Sequence, residues 1–223
     1  MGIEMESSLT VILPTLNEEQ TIGLVIDEIR SLPVRCDILV VDSSTDDTSD
    51  IATKKGVRVI RAFPLGKGHA MRIGFGEVAT PYIIMMDSDF TYPAIYILPI
   101  LKKLMGGYDA VVTYRKWKVS GSMTFTNAFG NKVLSKLASR LYGIEVRDVC
   151  SGMWGFRKEA LDRFNLRSKG FTLEAELFSN MAEYKLGQEP IVYRCRPYGS
   201  KAKLKVWDGF KIGWFLIKKK WKQ

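Results

Sequence analysis

Apolar and amphipathic runs alternate through the first half of the chain. Residues 9–14 (LTVILP) are a short apolar, β-leaning run that ends at a proline, and 19–32 carry Ile22, Val25, Ile26 and Ile29 at helical spacing. Residues 37–41 (DILVV) read as a second buried strand, after which the polar SSTDDTSD opens a helix towards Lys55 with Ser44 or Thr45 as its cap. A third strand is expected over 57–62, a turn at Gly66-Lys67-Gly68, a helix over 69–78, and a fourth strand over 82–86 (YIIMM) that stops at Asp87. Strands alternating with helices at this spacing predict parallel βαβ units, hence an α/β, Rossmann-like, mostly parallel central sheet flanked by helices.

Further along, the pattern predicts a helix over 96–105, a strand over 110–113, a polar loop over 117–126 and a helix over 127–142. A strand over 152–157, a helix over 173–185, a strand over 191–195 and a last helix over 206–222 complete the reading. No internal repeat or low-complexity tract interrupts it. Residues 1–205 are expected to form one domain and 206–223 a basic amphipathic helix at its end. Polar residues gather just after the early strands: Asn17 and Glu18, Asp42, then Asp87 and Asp89. In an open α/β sheet these positions share the carboxyl edge, where ligands bind.

Composition narrows the picture. The chain has 223 residues, 46% of them apolar, enough for one ordinary core. The polar start up to Ser8 does not read as a signal peptide, and no run approaches the ~20 apolar residues that cross a bilayer. Cys36, Cys150 and Cys195 lack metal-site spacing and read as reduced packing residues, pointing to the cytoplasm. The net charge of +9 suggests an anionic partner, but residues 201–223 hold eight lysines against Asp208 alone and so carry +7 of it. The rest is close to neutral, which argues against a general nucleic-acid-binding surface.

Asp87-Ser88-Asp89 is the centre of the chemical reading. In extended backbone, residues two apart face one side, so both carboxylates can meet one hard cation. Such a metal would neutralise a diphosphate leaving group. A D-x-D arises about once by chance in a chain of this composition; its weight comes from its place, directly after a buried strand. Asp42 also ends a strand, and either accepts hydrogen bonds from a ribose or base or caps the next turn. Gly66-Lys67-Gly68 either lets backbone approach a phosphate, with Lys67 as a point charge, or is a simple turn. His69, the single histidine, anchors no triad.

Taken in order, VILPTLNEEQTI, VVDSSTDDT, GKGHAMRIGF, MMDSDFTYP, RDVCSGMWGFR and GFTLEAEL resemble the family-two inverting glycosyltransferases of GT-A fold, nearest to the dolichyl- or polyprenyl-phosphate sugar synthases. The resemblance runs from about Leu9 to Lys205. It implies a UDP- or GDP-linked sugar donor held by Pro14, Leu16, Glu18, Asp42, Lys67, Asp87 and Ser88, with Mg2+ or Mn2+ on Asp87 and Asp89. It also implies Asp89, Arg115, Asp148 and Glu174 as catalytic residues, and Arg115, Lys132, Arg196 and Lys201 around an acceptor phosphate. Ser151 and Gly152 fall with Asp148 in the acceptor-side motif.

The chain departs from the pattern in places. The usual D-D-G-S-T-D-G-T is shortened after Asp42, Thr91 stands where relatives often carry Gln, and a further arginine of the lipid-phosphate branch has no clear match, although Lys132 lies nearby. No Q-x-x-R-W follows, unlike the processive polysaccharide synthases.

A phosphate monoester is already anionic, with a second pKa near ~6, so an enzyme using it needs cations to place it more than a base to deprotonate it. A hydroxyl acceptor would instead need a base, for which Glu174 and Asp148 are the candidates. In the last helix Trp207, Phe210, Trp214, Ile217 and Trp221 form one stripe flanked by lysines. Tryptophan on a basic helix suits a bilayer interface, and the alternative is that the stripe packs on the core. The expectation is therefore a peripheral enzyme on the cytoplasmic face of a membrane, using polyprenyl or dolichyl phosphate and no nucleic acid. The rivals are transfer to a soluble hydroxyl and a non-enzymatic lipid- or RNA-binding protein.

Overall fold

A computed structural model describes residues 8–197 and 206–221. The first half follows the predicted alternation: β1 (Leu9–Thr15), α1 (Ile22–Arg30), β2 (Asp37–Asp42), α2 (Thr48–Lys54), β3 (Arg58–Arg61), α3 (Lys67–Gly76) and β4 (Tyr82–Met86). Then come α4 (Ile97–Met105), β5 (Ala110–Lys118), α5 (Phe125–Tyr142), β6 (Met153–Arg157), α6 (Lys158–Leu161), α7 (Leu173–Ser179), β7 (Leu186–Tyr193) and α8 (Val206–Lys220). The seven strands form one sheet in the order β3-β2-β1-β4-β6-β5-β7. All run parallel except β6, which is antiparallel to both β4 and β5.

Both faces of the sheet are covered, which is why its strands read as unbroken apolar runs. Alternate residues of β1 serve opposite layers. Ile12 packs with Met71 and Phe75 of α3, Trp154 and Phe156 of β6, and Leu177 of α7. Val11 and Leu13 pack with Ile22, Val25 and Ile26 of α1 and with Ile97 and Ile100 of α4.

The later half differs from the pattern where tertiary pairing outweighs composition. β5 continues to Lys118, beyond the predicted end at Thr113, because β7 pairs alongside it in parallel, with a register shift between Arg115 and Trp117. Of the polar stretch expected as a loop, Trp117 and Lys118 belong to β5, residues 119–124 connect β5 to α5 as expected, and α5 begins two residues early at Phe125. β7 likewise begins at Leu186, five residues before the expected strand. The helix expected over 173–185 stops at Ser179, and a 3-10 turn follows at Met181–Glu183.

The end of the chain is part of the same core. Ile212 and Leu216 of α8 are buried, and the Tyr142 hydroxyl of α5 donates to the Leu216 carbonyl at 3.0 Å. The aromatic stripe lies on the other side: Trp207, Phe210, Trp214 and Trp221 are 74%, 68%, 66% and 85% exposed. α8 thus carries two apolar faces, of which a different one from the predicted stripe packs on the protein. Leu216→Ala should lower stability by about 3 kcal/mol in urea unfolding, through the cavity it leaves. Trp214→Ala should change it by less than about 0.5 kcal/mol.

Candidate active site

The carboxyl ends of β1, β4, β5 and β7 open onto a cavity of about 800 Å3. Pro14, Leu16 and Glu18 line it from β1 and the loop after it, and Asp87, Ser88 and Asp89 from the end of β4. Lys67 of α3, Arg115 of β5, Glu174 of α7 and Arg196 complete the set of expected residues that face it.

The chain leaves the strand at Asp87, whose amide donates to the Gly152 carbonyl at 3.1 Å, and bends over 88–90. The two acids therefore reach the cavity through a bend and not, as expected, through strand alternation. Phe90 takes a φ of 65° there. That conformation costs a non-glycine residue about 1–3 kcal/mol, and such strain clusters at functional sites. The Ser88 hydroxyl donates to the Pro14 carbonyl at 2.9 Å and ties the bend to β1.

Each acid has a cation. Lys67 Nζ lies 2.6 Å from Asp87 Oδ1 and 2.5 Å from Glu174 Oε1. Burial alone would lower the Lys67 pKa, but the charges of Asp87 and Glu174 outweigh it and hold it raised. Burial pushes Glu174 up, against the pull of Lys67. Arg196 Nε donates to Asp89 Oδ2 at 2.6 Å, while Thr91 donates to Asp89 Oδ1 from its amide (3.1 Å) and hydroxyl (2.5 Å). Thr91 thus orients Asp89. Two hard carboxylates facing one cavity are a donor set that suits a divalent cation. Among the described residues no group of three or more His, Cys, Asp or Glu converges, so phosphate and water oxygens would fill the other positions.

Arg115 and Asp148 form a second, deeper pair. Arg115 Nε and Nη2 donate to Asp148 Oδ2 and Oδ1 at 2.6 and 2.7 Å, and Asn131 Nδ2 donates to Oδ1 at 2.8 Å. Burial would lower the Arg115 pKa, but Asp148 outweighs it and holds it raised. Asp148 is 2% exposed and stands behind Arg115, outside the cavity lining. It positions the guanidinium and presents no free oxygen to a substrate.

Asp42 does not face the cavity. It is fully buried and accepts hydrogen bonds from Thr15 (2.6 Å), Ser44 (2.5 Å), Ser49 (2.5 Å) and Arg61 (2.6 Å). Burial acts to raise its pKa, but the bonds from Ser44, Ser49, Thr15 and Arg61 outweigh it and hold the carboxyl below the usual range. Of its two expected roles, the structure realises the turn cap, through the Ser44 amide at 3.2 Å. The cap of α2 is Asp47, while Asp46 accepts from the Thr48 amide at 3.1 Å; neither Ser44 nor Thr45 serves there.

Other expectations need correcting. Gly66 and Gly68 answer to neighbouring backbone: a Cβ would lie 2.6 Å from the Lys169 carbonyl oxygen at Gly66 and 2.5 Å from that of Ser168 at Gly68. The first turn of α3 is also partly occupied, since the His69 amide donates to the Lys169 carbonyl at 3.0 Å. Lys132 is exposed and does not line the cavity, whereas its neighbour Asn131 does. Cys195 is exposed and lines the cavity, so it is no packing residue, and all three cysteines are free. Burial pushes the Cys150 thiol up to about 12. Lys201, with Lys203 and Lys205, lies outside the described residues.

Sequence reasoning missed Tyr92 and Asn131. The Tyr92 hydroxyl accepts from the Gly152 amide at 2.7 Å, and Asn131 Oδ1 is buried without a protein partner. Both line the cavity. The T-Y-P and F-G-N strings around them carry no charge or spacing that marks a site.

Residues 10–164 match the sequence profile of "Glycosyl transferase family 2". The chain is 36% identical over 190 residues to a dolichyl-phosphate hexose transferase of Haloferax volcanii, covering 84% of this chain and 83% of that one. It is 26% identical over 211 residues to a dolichol-phosphate mannosyltransferase of Pyrococcus furiosus, covering 88% of this chain and 59% of the relative. Among solved structures, Mycobacterium tuberculosis glucosyl-3-phosphoglycerate synthase with Mn2+, UDP-glucose and glycerol 3-phosphate superposes with a TM-score of 0.73 at 20% identity. That match covers 96% of this chain and 79% of the other, and shows the shared fold.

Two outcomes follow from this geometry. Unfolded Asp titrates near ~3.9 and folded Asp42 lower, so its stabilisation is present above that pH and is lost as pH falls through the folded value. Asp42→Asn should therefore cost about 2 kcal/mol at neutral pH, a gap that closes on acidification in denaturation curves. Gly152→Ala would place a Cβ 1.9 Å from Asp87 Oδ2. It should displace that carboxylate and lower activity far more than it lowers the melting temperature.

Proposed function

The chain belongs to glycosyltransferase family 2, and on that premise we propose that it transfers a hexose from a UDP- or GDP-linked donor to a polyprenyl or dolichyl phosphate. One observation carries the reading. A single cavity is lined by the acids Asp87 and Asp89 and by Arg115, which Asp148 holds.

Pro14, Leu16 and Glu18 accept the nucleoside of the donor. Asp87 and Asp89 hold Mg2+ or Mn2+, which when bound neutralises charge on the diphosphate. Lys67 and Arg196, which pair with those acids in this structure, are within reach of the same phosphates. Arg115 places the acceptor phosphate, an anion that needs no base. Its oxygen forms a bond to the anomeric carbon as the bond from that carbon to the nucleoside diphosphate breaks, in one inverting displacement. The carboxylates that a hydroxyl acceptor would need are already engaged, Glu174 by Lys67 and Asp148 by Arg115 and Asn131. This favours the phosphate acceptor over a soluble hydroxyl. The names of the Haloferax and Pyrococcus relatives point the same way.

Among the described residues no helix is long and apolar enough to cross a membrane. A lipid acceptor calls for contact with a membrane surface, for which the exposed tryptophans of α8 are suited, at the cytoplasmic face where nucleotide sugars are available.

The test is incubation with labelled UDP- or GDP-hexose, Mg2+ or Mn2+, and dolichyl phosphate. Label should enter the lipid phase, and Asp87→Asn with Asp89→Asn should reduce the rate by about 10^3-fold without loss of fold by circular dichroism. Label in water-soluble products alone would reject the lipid acceptor, and an unimpaired double variant would reject the metal site.

A further inference from the structure

Two tyrosines line the active-site cavity, Tyr92 just after the β4 bend and Tyr193 at the end of β7. Their rings meet edge to face with centroids 5.3 Å apart, and the Arg115 guanidinium lies 5.2 Å over the Tyr193 ring. The Tyr193 hydroxyl is bonded to the Thr91 side chain. Tyr92 differs. It is 2% exposed, and its oxygen accepts from the Gly152 amide at 2.7 Å. A phenol also has one proton to donate. Among the described residues the Tyr92 proton makes no hydrogen bond. A buried donor without a protein acceptor, on the wall of a binding cavity, calls for an acceptor on the ligand.

The backbone of 150–152 shows what surrounds that proton. Arg115 Nη2 donates to the Cys150 carbonyl at 3.4 Å. The Asp87 carboxylate lies against Gly152, where a Cβ would come 1.9 Å from Oδ2. Bonded to the Gly152 amide, the Tyr92 hydroxyl sits on the short stretch of chain that joins Arg115 to Asp87. Of the charged groups around it, Arg115 acts on it most strongly. Burial holds the Tyr92 pKa well above the ordinary tyrosine range, against the pull of Arg115, so the proton stays on the oxygen. An anion drawn to Arg115 meets that proton. An ionised phosphate suits the pair, because its oxygens accept from a guanidinium and from a hydroxyl at once.

We propose that Tyr92 is an acceptor-binding residue, whose hydroxyl donates to a non-attacking oxygen of the phosphate that Arg115 places. This rests on the phosphate-acceptor reading above and adds a neutral donor to its cations. Arg115 engages Asp148 through Nε and Nη2, so it meets a phosphate from one side only. A phosphate held from one side can turn. A second donor, set apart from the first, fixes which oxygen faces the anomeric carbon.

Tyr92→Phe tests this, because it keeps the ring against Tyr193 and removes the hydroxyl alone. Transfer from the labelled nucleotide sugar to farnesyl phosphate, a soluble isoprenyl phosphate, is measured over acceptor concentration. Calorimetric titration with UDP or GDP and Mn2+ accompanies it. For farnesyl phosphate kcat/KM should fall about tenfold or more, mainly through KM, while nucleotide affinity changes by less than about twofold. The substitution also takes the acceptor from the Gly152 amide beside Asp87, so a purely structural role would weaken nucleotide binding as well. Equal losses at both substrates, loss of nucleotide binding, or an unchanged acceptor KM would each overturn the inference and leave the lipid-acceptor reading standing. Wild type that transfers to no isoprenyl phosphate would remove that reading, and the role of Tyr92 with it.

Discussion

A carboxylate removed from water must be met by a cation or by several hydrogen-bond donors. Along the carboxyl edge of this sheet, that requirement sets the positions of the side chains. Lys67 answers Asp87 and Glu174 together, Arg196 and Thr91 answer Asp89, and Arg115 and Asn131 answer Asp148. Asp42 is met by three hydroxyls and Arg61. Removing the partner of a buried carboxylate, Asp42, Asp89, Asp148 or Glu174, leaves it uncompensated, so the cluster holds its own geometry. The cations that meet these carboxylates are also of the kind that meets phosphates.

Much of the fold could be read from the chain because both faces of the sheet are buried. LTVILP, DILVV and YIIMM are almost wholly apolar, and the strands they mark run at most one residue beyond them, to Thr15, Asp42 and Met86. β5 and β7 were harder: their outer halves are polar, and only their mutual pairing extends them to Lys118 and back to Leu186. Propensity is weak information where a partner strand supplies the hydrogen bonds.

The site was legible to the degree that charge marks it. Asp87, Asp89, Lys67, Arg115, Glu174 and Arg196 do face one cavity. Asp42 and Lys132 do not, for opposite reasons: Asp42 is enclosed by its own loop, and Lys132 is one position round the helix from Asn131, which lines the cavity. A spacing rule places a residue on an element but does not tell a sealed carboxylate from an open one. The stripe on α8 shows the same limit, since amphipathicity cannot say which of two apolar faces, Leu216 or Trp214, turns inward.

The central claim is that the acids ending β4 bind a divalent cation that in turn holds a nucleoside diphosphate. Calorimetric titration of the wild-type protein with UDP and with GDP, each with and without Mn2+, tests it most directly. One of the two nucleotides should bind, and at least tenfold more tightly when Mn2+ is present. Equal affinity with and without the metal, or no binding of either nucleotide, would contradict the account.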